Sequence, residues 1–245
     1  MFNRIFVGVF AVIFCVSTAH SAPSTRPVTV VGEEFSSEDP IVKNFHSMGI
    51  VDGRDAIYRS ASPVRDLARE MTTTRPTTGE LAEATSRMRH LYARGIRTIV
   101  CLQDPRQKSE ELGSVDLERT AATAAGIRFV NDPMDNSGPH SLETMSDAQV
   151  MTLLNKVTSD ILKYSAAGGV VYHCTAGHDR AGIVSAFIRM KYQHWPVQEA
   201  INEMREMGHN WPKFSNNGGI SSWHEQHLRA IAKMLTEEPT TRAAG

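Results

Sequence analysis

Cysteine is scarce in this chain, with three in 245 residues, and one of them, Cys15, lies inside an apolar N-terminal run. The two that remain, Cys101 and Cys174, cannot build a disulfide framework. No C-x-x-C pair is present for dithiol exchange, and no cluster of Cys and His stands at ligand spacing, so neither zinc nor another metal is expected. Charge of one sign is lacking as well. Lys and Arg number 26 against 27 Asp and Glu, a formal net charge of −1, and they are spread rather than clustered. Composition therefore offers no basic face for nucleic acid or an anionic membrane. The longest apolar run, Ile5 to Val16, is about a dozen residues, too short to span a bilayer comfortably. No internal repeat is visible.

What is present begins with that run. Met1-Phe2-Asn3-Arg4 is a short cationic start, and Ala19-His20-Ser21 places small residues at positions −3 and −1 of a cut after Ser21, with Ser17-Thr18-Ala19 as an alternative. This is the layout of a secretory signal peptide over residues 1–21. It implies an exported protein, periplasmic or secreted, with no stable membrane insertion once the leader is gone. Residues 22–44 are rich in Ser, Thr, Pro and acidic side chains and read as a flexible lead-in. One domain of 45–235 follows, then a frayed tail over 236–245.

Within the domain, helical and strand patterns alternate. Short strands are expected at 56–59, 96–102, 127–130 and 170–172 from their β-branched and apolar content. Thr77-x-x-Glu80 and Ser146-x-x-Gln149 are capping boxes that open helices, and further helices are expected near 115–125, 181–193, 197–207 and 222–235. The alternation predicts an α/β fold, a sheet flanked by helices on both faces. Ligands in such folds sit at the carboxyl ends of strands.

One of those ends carries the densest chemistry. The segment GGVVYHCTAGHDRAGIVSAFIRM, residues 168–190, is an apolar strand, a loop of Gly and polar residues, and an apolar helix. A loop that runs into a helix N-terminus can turn its backbone N–H groups inward to cradle an anion. Gly177 lets the backbone curl closely, and Arg180 can place a planar fork of donors on two oxygens. A thiol at the base of such a cradle feels a field that favours its thiolate. Cys174 is thus a candidate nucleophile for phosphorus, with Arg180 as the phosphate clamp and Thr175, Ala176, Gly177, His178 and Asp179 completing the loop.

His173 to Arg180, H-C-T-A-G-H-D-R, resembles the H-C-x-x-G-x-x-R signature of the cysteine-dependent protein tyrosine phosphatase superfamily, in the form of its atypical dual-specificity and bacterial branches. Ile57–Pro63 and Gly95–Leu102 also resemble segments of those enzymes, in the same order. The resemblance implies a compact fold with a central, mostly parallel sheet and a phosphatase that works without metal or cofactor through a cysteinyl-phosphate. Its substrates would be phosphotyrosine or mixed phosphoproteins, with phosphoinositides or small phosphoesters as the alternative. It also implies an aspartate on an upstream loop that protonates the leaving group. Two compete in Val130-Asn131-Asp132-Pro133-Met134-Asp135-Asn136-Ser137-Gly138-Pro139. Asp135, further out, resembles the family position better, whereas an Asp-Pro pair such as Asp132-Pro133 often only shapes a turn.

Two positions depart from the family pattern. Ala181 stands where Ser or Thr commonly follows the arginine, which removes one hydrogen bond to the departing sulfur and leaves room for a reading as a non-catalytic phosphate binder. His178 stands where many relatives have Lys, which predicts weaker preference for polyanionic substrates and stronger phosphate affinity at mildly acid pH. His173 is expected to support the loop and Asp179 to brace it while facing away from the phosphate. Cys101, expected on a strand next to that of Cys174, is either a packed small residue or a resolving thiol. Trp195, Trp211 and Trp223 read as packing residues, and His209–Lys213 as a possible border of the site. No oligomeric state follows from the sequence.

Overall fold

The computed structural model describes residues 41–71, 75–106, 114–135, 141–209 and 222–237. The expected leader, most of the expected lead-in, Trp211 and the last eight residues lie outside the described residues, and so do 136–140 of the loop that follows Asp135.

Five strands form one sheet in the order β1-β2-β5-β3-β4. They are β1 (His46–Ser47), β2 (Ile57–Ala61), β3 (Ile96–Cys101), β4 (Arg128–Asn131) and β5 (Gly169–Cys174). β2, β5, β3 and β4 run parallel, and only β1 is antiparallel, at the edge. β5 therefore sits in the middle, and all six of its residues are buried. A strand covered on both faces needs apolar residues on both, which is why Val170, Val171 and Tyr172 follow one another without alternation.

The helices divide between the faces. On one lie α2 (Thr78–Ala93) and α3 (Ser114–Ala124), whose Met88, Leu91, Leu117 and Ala121 pack on Ile99 and Val171. On the other lie α4 (Asp147–Ser165), α5 (Asp179–Gln193), α6 (Val197–Glu206) and α7 (Trp223–Glu237), packed on Val100, Tyr172 and Cys174. Both capping boxes form. Thr77 Oγ1 accepts from the Glu80 N–H at 3.2 Å and Ser146 Oγ from that of Gln149 at 3.3 Å. Each glutamyl or glutaminyl side chain reaches back to its cap N–H, so two orphan donors are met at each helix start. α5 is buried on nearly every side and forms the centre of its layer. No helix among the described residues is long and apolar enough to cross a membrane.

Three features differ from the sequence expectation. The body begins before residue 45: Val42 is buried, and the Lys43 carbonyl accepts from the Ala61 N–H at 2.9 Å. β1 and the short helix α1 (Arg65–Glu70) carry no pattern to read, since β1 has two residues and α1 buries none and has no side-chain cap. β5 also runs on to Cys174, which puts the thiol on the strand itself.

Candidate active site

The loop 174–179 leaves the carboxyl end of the central strand and enters α5. Three of its carbonyls are tied outward. That of Thr175 accepts from the Ser62 N–H at 3.3 Å, that of Ala176 from Asn44 Nδ2 at 2.8 Å, and that of Gly177 from Arg59 Nη2. In a planar trans peptide the next N–H points opposite to the carbonyl. The N–H groups of Ala176, Gly177 and His178 are therefore turned the other way, forming an anion-binding concavity in front of a helix N-terminus. Gly177 is required twice over. Its φ is +75°, and an added Cβ would lie 2.7 Å from the Ser60 oxygen and 2.8 Å from the Ala61 nitrogen. The chain thus needs glycine here less to approach an anion, as its sequence suggests, than to press the loop against β2.

Cys174 is 3% exposed at the floor of this loop, and Arg180, 4% exposed, donates Nη2 to Thr175 Oγ1 at 3.0 Å. The same hydroxyl accepts from Gln103 Nε2 at 3.2 Å, which fastens the loop to the end of β3. A narrow cleft beside Thr175 is lined by Arg65, Ala68, Arg69, Gln103 and Ser114. Ala181 is fully buried in the first turn of α5.

The flanking loop residues face elsewhere. Asp179 Oδ1 meets His209 Nδ1 at 2.6 Å, and His209 Nε2 meets Ser222 Oγ at 2.9 Å, so the carboxylate braces α5 against the start of α7. Burial pushes the Asp179 carboxyl up, but the His209 bond and neighbouring imidazoles outweigh it and hold it below the usual range. The His178 imidazole lies against Gly208, where a Cβ would come within 2.7 Å of Nε2. Burial, with the charges of Arg65 and Arg59, holds its pKa below the ordinary value despite Asp179. That direction runs against the acid-enhanced phosphate affinity expected of this histidine, because less of it is charged at mildly acid pH.

Behind the loop, on the α3 face, His173 is fully buried with its Nε2 2.7 Å from Glu118 Oε1. Burial alone would push the imidazole down; the Glu118 carboxylate outweighs it, and His173 is held well above its ordinary value. Its Nδ1 lies 3.2 Å from the Cys174 carbonyl. Ser62 Oγ also donates to Glu118, at 3.3 Å. Glu118 carries no signal in the sequence beyond being an acidic residue in the first half of an amphipathic helix. Cys101 joins this pair, the three donor atoms lying within 4.8 Å of one another. The charge balance of His173 with Glu118 accounts for the group without an ion. Cys101 pairs laterally with His173, so its side chain shares the His173 face of the sheet, whereas Cys174, one residue on, points to the other.

The acid candidates separate. Asp132 is buried and ion-paired to Lys156 of α4, which also holds Asp160 at 3.0 Å. Asp135 is half-buried beyond it, anchored through its carbonyl to the Leu142 N–H at 2.9 Å, and its charge acts on Arg106. A third aspartate, missed in the sequence, is Asp104 just past β3. Arg106 grips it at 2.9 and 2.6 Å and, with Arg180, holds its carboxyl below the usual range. A carboxylate so held is a poor proton donor.

The family model described as "Tyrosine phosphatase family" matches residues 58–192. Among solved structures, TpbA of P. aeruginosa is similar at TM-score 0.41 and 19% identity, covering 74% of this chain and 83% of that one. The core catalytic domain of the PP-IP phosphatase SIW14 from S. cerevisiae is similar at 0.41 and 18%, covering 80% and 95%. PTPMT1 is similar at 0.43 and 18%, covering 78% and 96%. No curated protein matches the chain in sequence.

Proposed function

This chain belongs to the tyrosine phosphatase family and is a cysteine-dependent phosphatase, and from that premise we propose that Cys174 is its nucleophile, Arg180 its phosphate clamp and Asp135 its general acid. The observation that carries this reading is the outward tying of the Thr175, Ala176 and Gly177 carbonyls on the loop that leaves Cys174, which turns the following N–H groups the other way. A phosphate monoester bound there presents phosphorus to the thiolate. As the S–P bond forms, the P–O bond to the leaving group breaks and Asp135 gives that oxygen a proton. Water then attacks the cysteinyl-phosphate, the Asp135 carboxylate takes its proton, and phosphate departs with the thiolate regenerated. The loop amides and Arg180 meet the charge that spreads over the equatorial oxygens. Asp132 is unsuited to the acid role because Lys156 keeps its carboxylate engaged on α4.

Phosphotyrosine and mixed phosphoproteins are the substrate class we propose, since half-buried His178, its pKa held below the ordinary value by burial, is a weaker source of positive charge for a polyphosphorylated headgroup than a lysine would be. Release of phosphate from a phosphotyrosine peptide tests the reading. Cys174→Ser abolishes it, and Asp135→Asn lowers kcat by about 10²–10⁴-fold, whereas Asp132→Asn leaves it within a few-fold. Binding of the peptide without turnover by the unmutated protein would reassign it as a phosphate-binding module. The N-terminal leader supports export, and N-terminal sequencing of the mature protein should start at Ala22.

A further inference from the structure

Arg59 stands out among the buried side chains. It is 0% exposed on β2, beside Tyr172 of β5 and on the sheet face that carries Cys174. Its Nη2 donates to the Gly177 carbonyl, but Nε and Nη1 have no hydrogen-bond partner. A guanidinium stays protonated in a protein, and burying it unmatched is strongly disfavoured.

Among the described residues, the groups around it leave it no carboxylate of its own. They are His46 of β1, Tyr172 and Cys174 of β5, His178 at the start of α5, Arg189 of α5 and Glu203 of α6. Glu203 is already taken by Arg189, which binds its two oxygens at 2.6 and 2.9 Å. Burial pushes the Tyr172 phenol up to about 12, so it stays neutral. Two arginines thus share one carboxylate, and a positive charge is left over beneath the loop. Burial pushes the Arg59 guanidinium down from its ordinary range, and Tyr172, Glu203 and Cys174 push it back. Of those three, only the sulfur can take up a negative charge that nothing else balances.

We infer that Arg59 is a positioning residue of this phosphatase, a second buried cation whose unmatched charge keeps Cys174 as a thiolate and whose bond to Gly177 holds the loop amides toward the phosphoryl group. The inference rests on the reading of Cys174 as nucleophile. Arg180 meets the substrate from the loop; Arg59 acts from below, through sulfur and backbone.

The test compares Arg59→Met, which keeps much of the volume and loses the charge, with Arg59→Lys, which keeps the charge. The readout is the rate of Cys174 alkylation by iodoacetamide at about pH 6 relative to about pH 9. In the unmutated protein the ratio is high. Arg59→Lys stays near it, whereas Arg59→Met drops by about tenfold or more, and the acid limb of kcat/KM for p-nitrophenyl phosphate moves up by about one pH unit. A folded Arg59→Met protein with an unchanged ratio overturns the inference and leaves the nucleophile standing. An unmutated protein whose Cys174 does not react at low pH overturns the nucleophile reading itself, and the inference with it. Should Arg59→Met fail to fold, Cys174→Ser removes the facing charge with Arg59 intact. Its melting temperature then falls by about 2–4 °C, and an unchanged value overturns the inference.

Discussion

Two buried cations flank the sheet beneath the phosphate loop, one on each face, and they are treated in opposite ways. On the α3 face the His173 imidazolium lies 2.7 Å from the Glu118 carboxylate, and neither side chain has any exposure. On the α5 face the Arg59 guanidinium spends one nitrogen on a loop carbonyl, and among the described residues the carboxylate nearby, Glu203, is held by Arg189. The first charge is closed on itself and is the same whether or not substrate is bound. The second is open, and its balance depends on an anion that the loop brings. The closed pair ties strand to helix, so it belongs to the scaffold. On the proposed reading the open charge belongs to the chemistry, with the Cys174 sulfur as its partner.

Breaking the closed side should give the largest effect. Glu118→Leu removes the carboxylate and leaves His173 buried without its counter-charge, a change that costs about 3–5 kcal/mol when one partner of a buried pair is lost. Urea denaturation should show the loss as a lower midpoint with little change in slope. Wild-type stability in this variant would mean that His173 carries no charge in the fold, and the contrast between the faces would fail.

The open side can be sharpened by asking whether it tolerates further positive charge. His224 of α7 is fully buried, stacked on Trp223 with ring centroids 3.4 Å apart. Burial lowers its pKa to about 3, with His209 adding to the effect and Arg180 contributing less. The sign follows from linkage. Unfolded, this imidazole takes a proton below about 6.5; folded, it does not until about pH 3. Stability is therefore full above the unfolded value and is lost as pH falls, by about 1.4 kcal/mol per pH unit across that window. His224→Phe should flatten this part of the acid limb. An acid limb of unchanged slope would show that other groups carry it.

The fold was legible where its signals are local. The capping boxes place both partners three residues apart, and the strand, loop and helix of 169–193 form an unbroken pattern. Cys174 and Arg180 were legible as candidates for the same reason, since they share one loop. What stayed hidden depends on pairings distant in sequence. Arg59 and Gly177 are 118 residues apart, and nothing about the arginine in Ile57–Ala61 announces that it is buried. Glu118 looks like any acidic residue of an amphipathic helix until α3 is seen to lie over β5. Lys156, which holds the Asp132 carboxylate, lies 24 residues beyond it, and no turn propensity could have supplied that contact. The packing of His178 was hidden for a related reason. Its spacing puts it in the loop, but Gly208, from the end of α6, takes up its ring.

The smallest effect concerns the two thiols, and it tests whether the faces are separate. Cys101 lies opposite His173 in the register, and Leu102 takes the place beside Cys174 through the Leu102 N–H to His173 carbonyl bond at 2.8 Å. Successive residues of a strand point to opposite faces, so the two sulfurs have the sheet between them. Burial pushes the Cys101 thiol up, which further disfavours the thiolate needed for exchange. Cys101→Ala should therefore cost only about 1 kcal/mol, the loss of a small buried side chain. It should leave inactivation by peroxide, and its reversal by dithiothreitol, unchanged. Non-reducing peptide mapping of the oxidised protein should recover the peptides of Cys101 and Cys174 separately. A joined peptide would mean that the strand end rearranges enough to bring the closed face and the open face into contact.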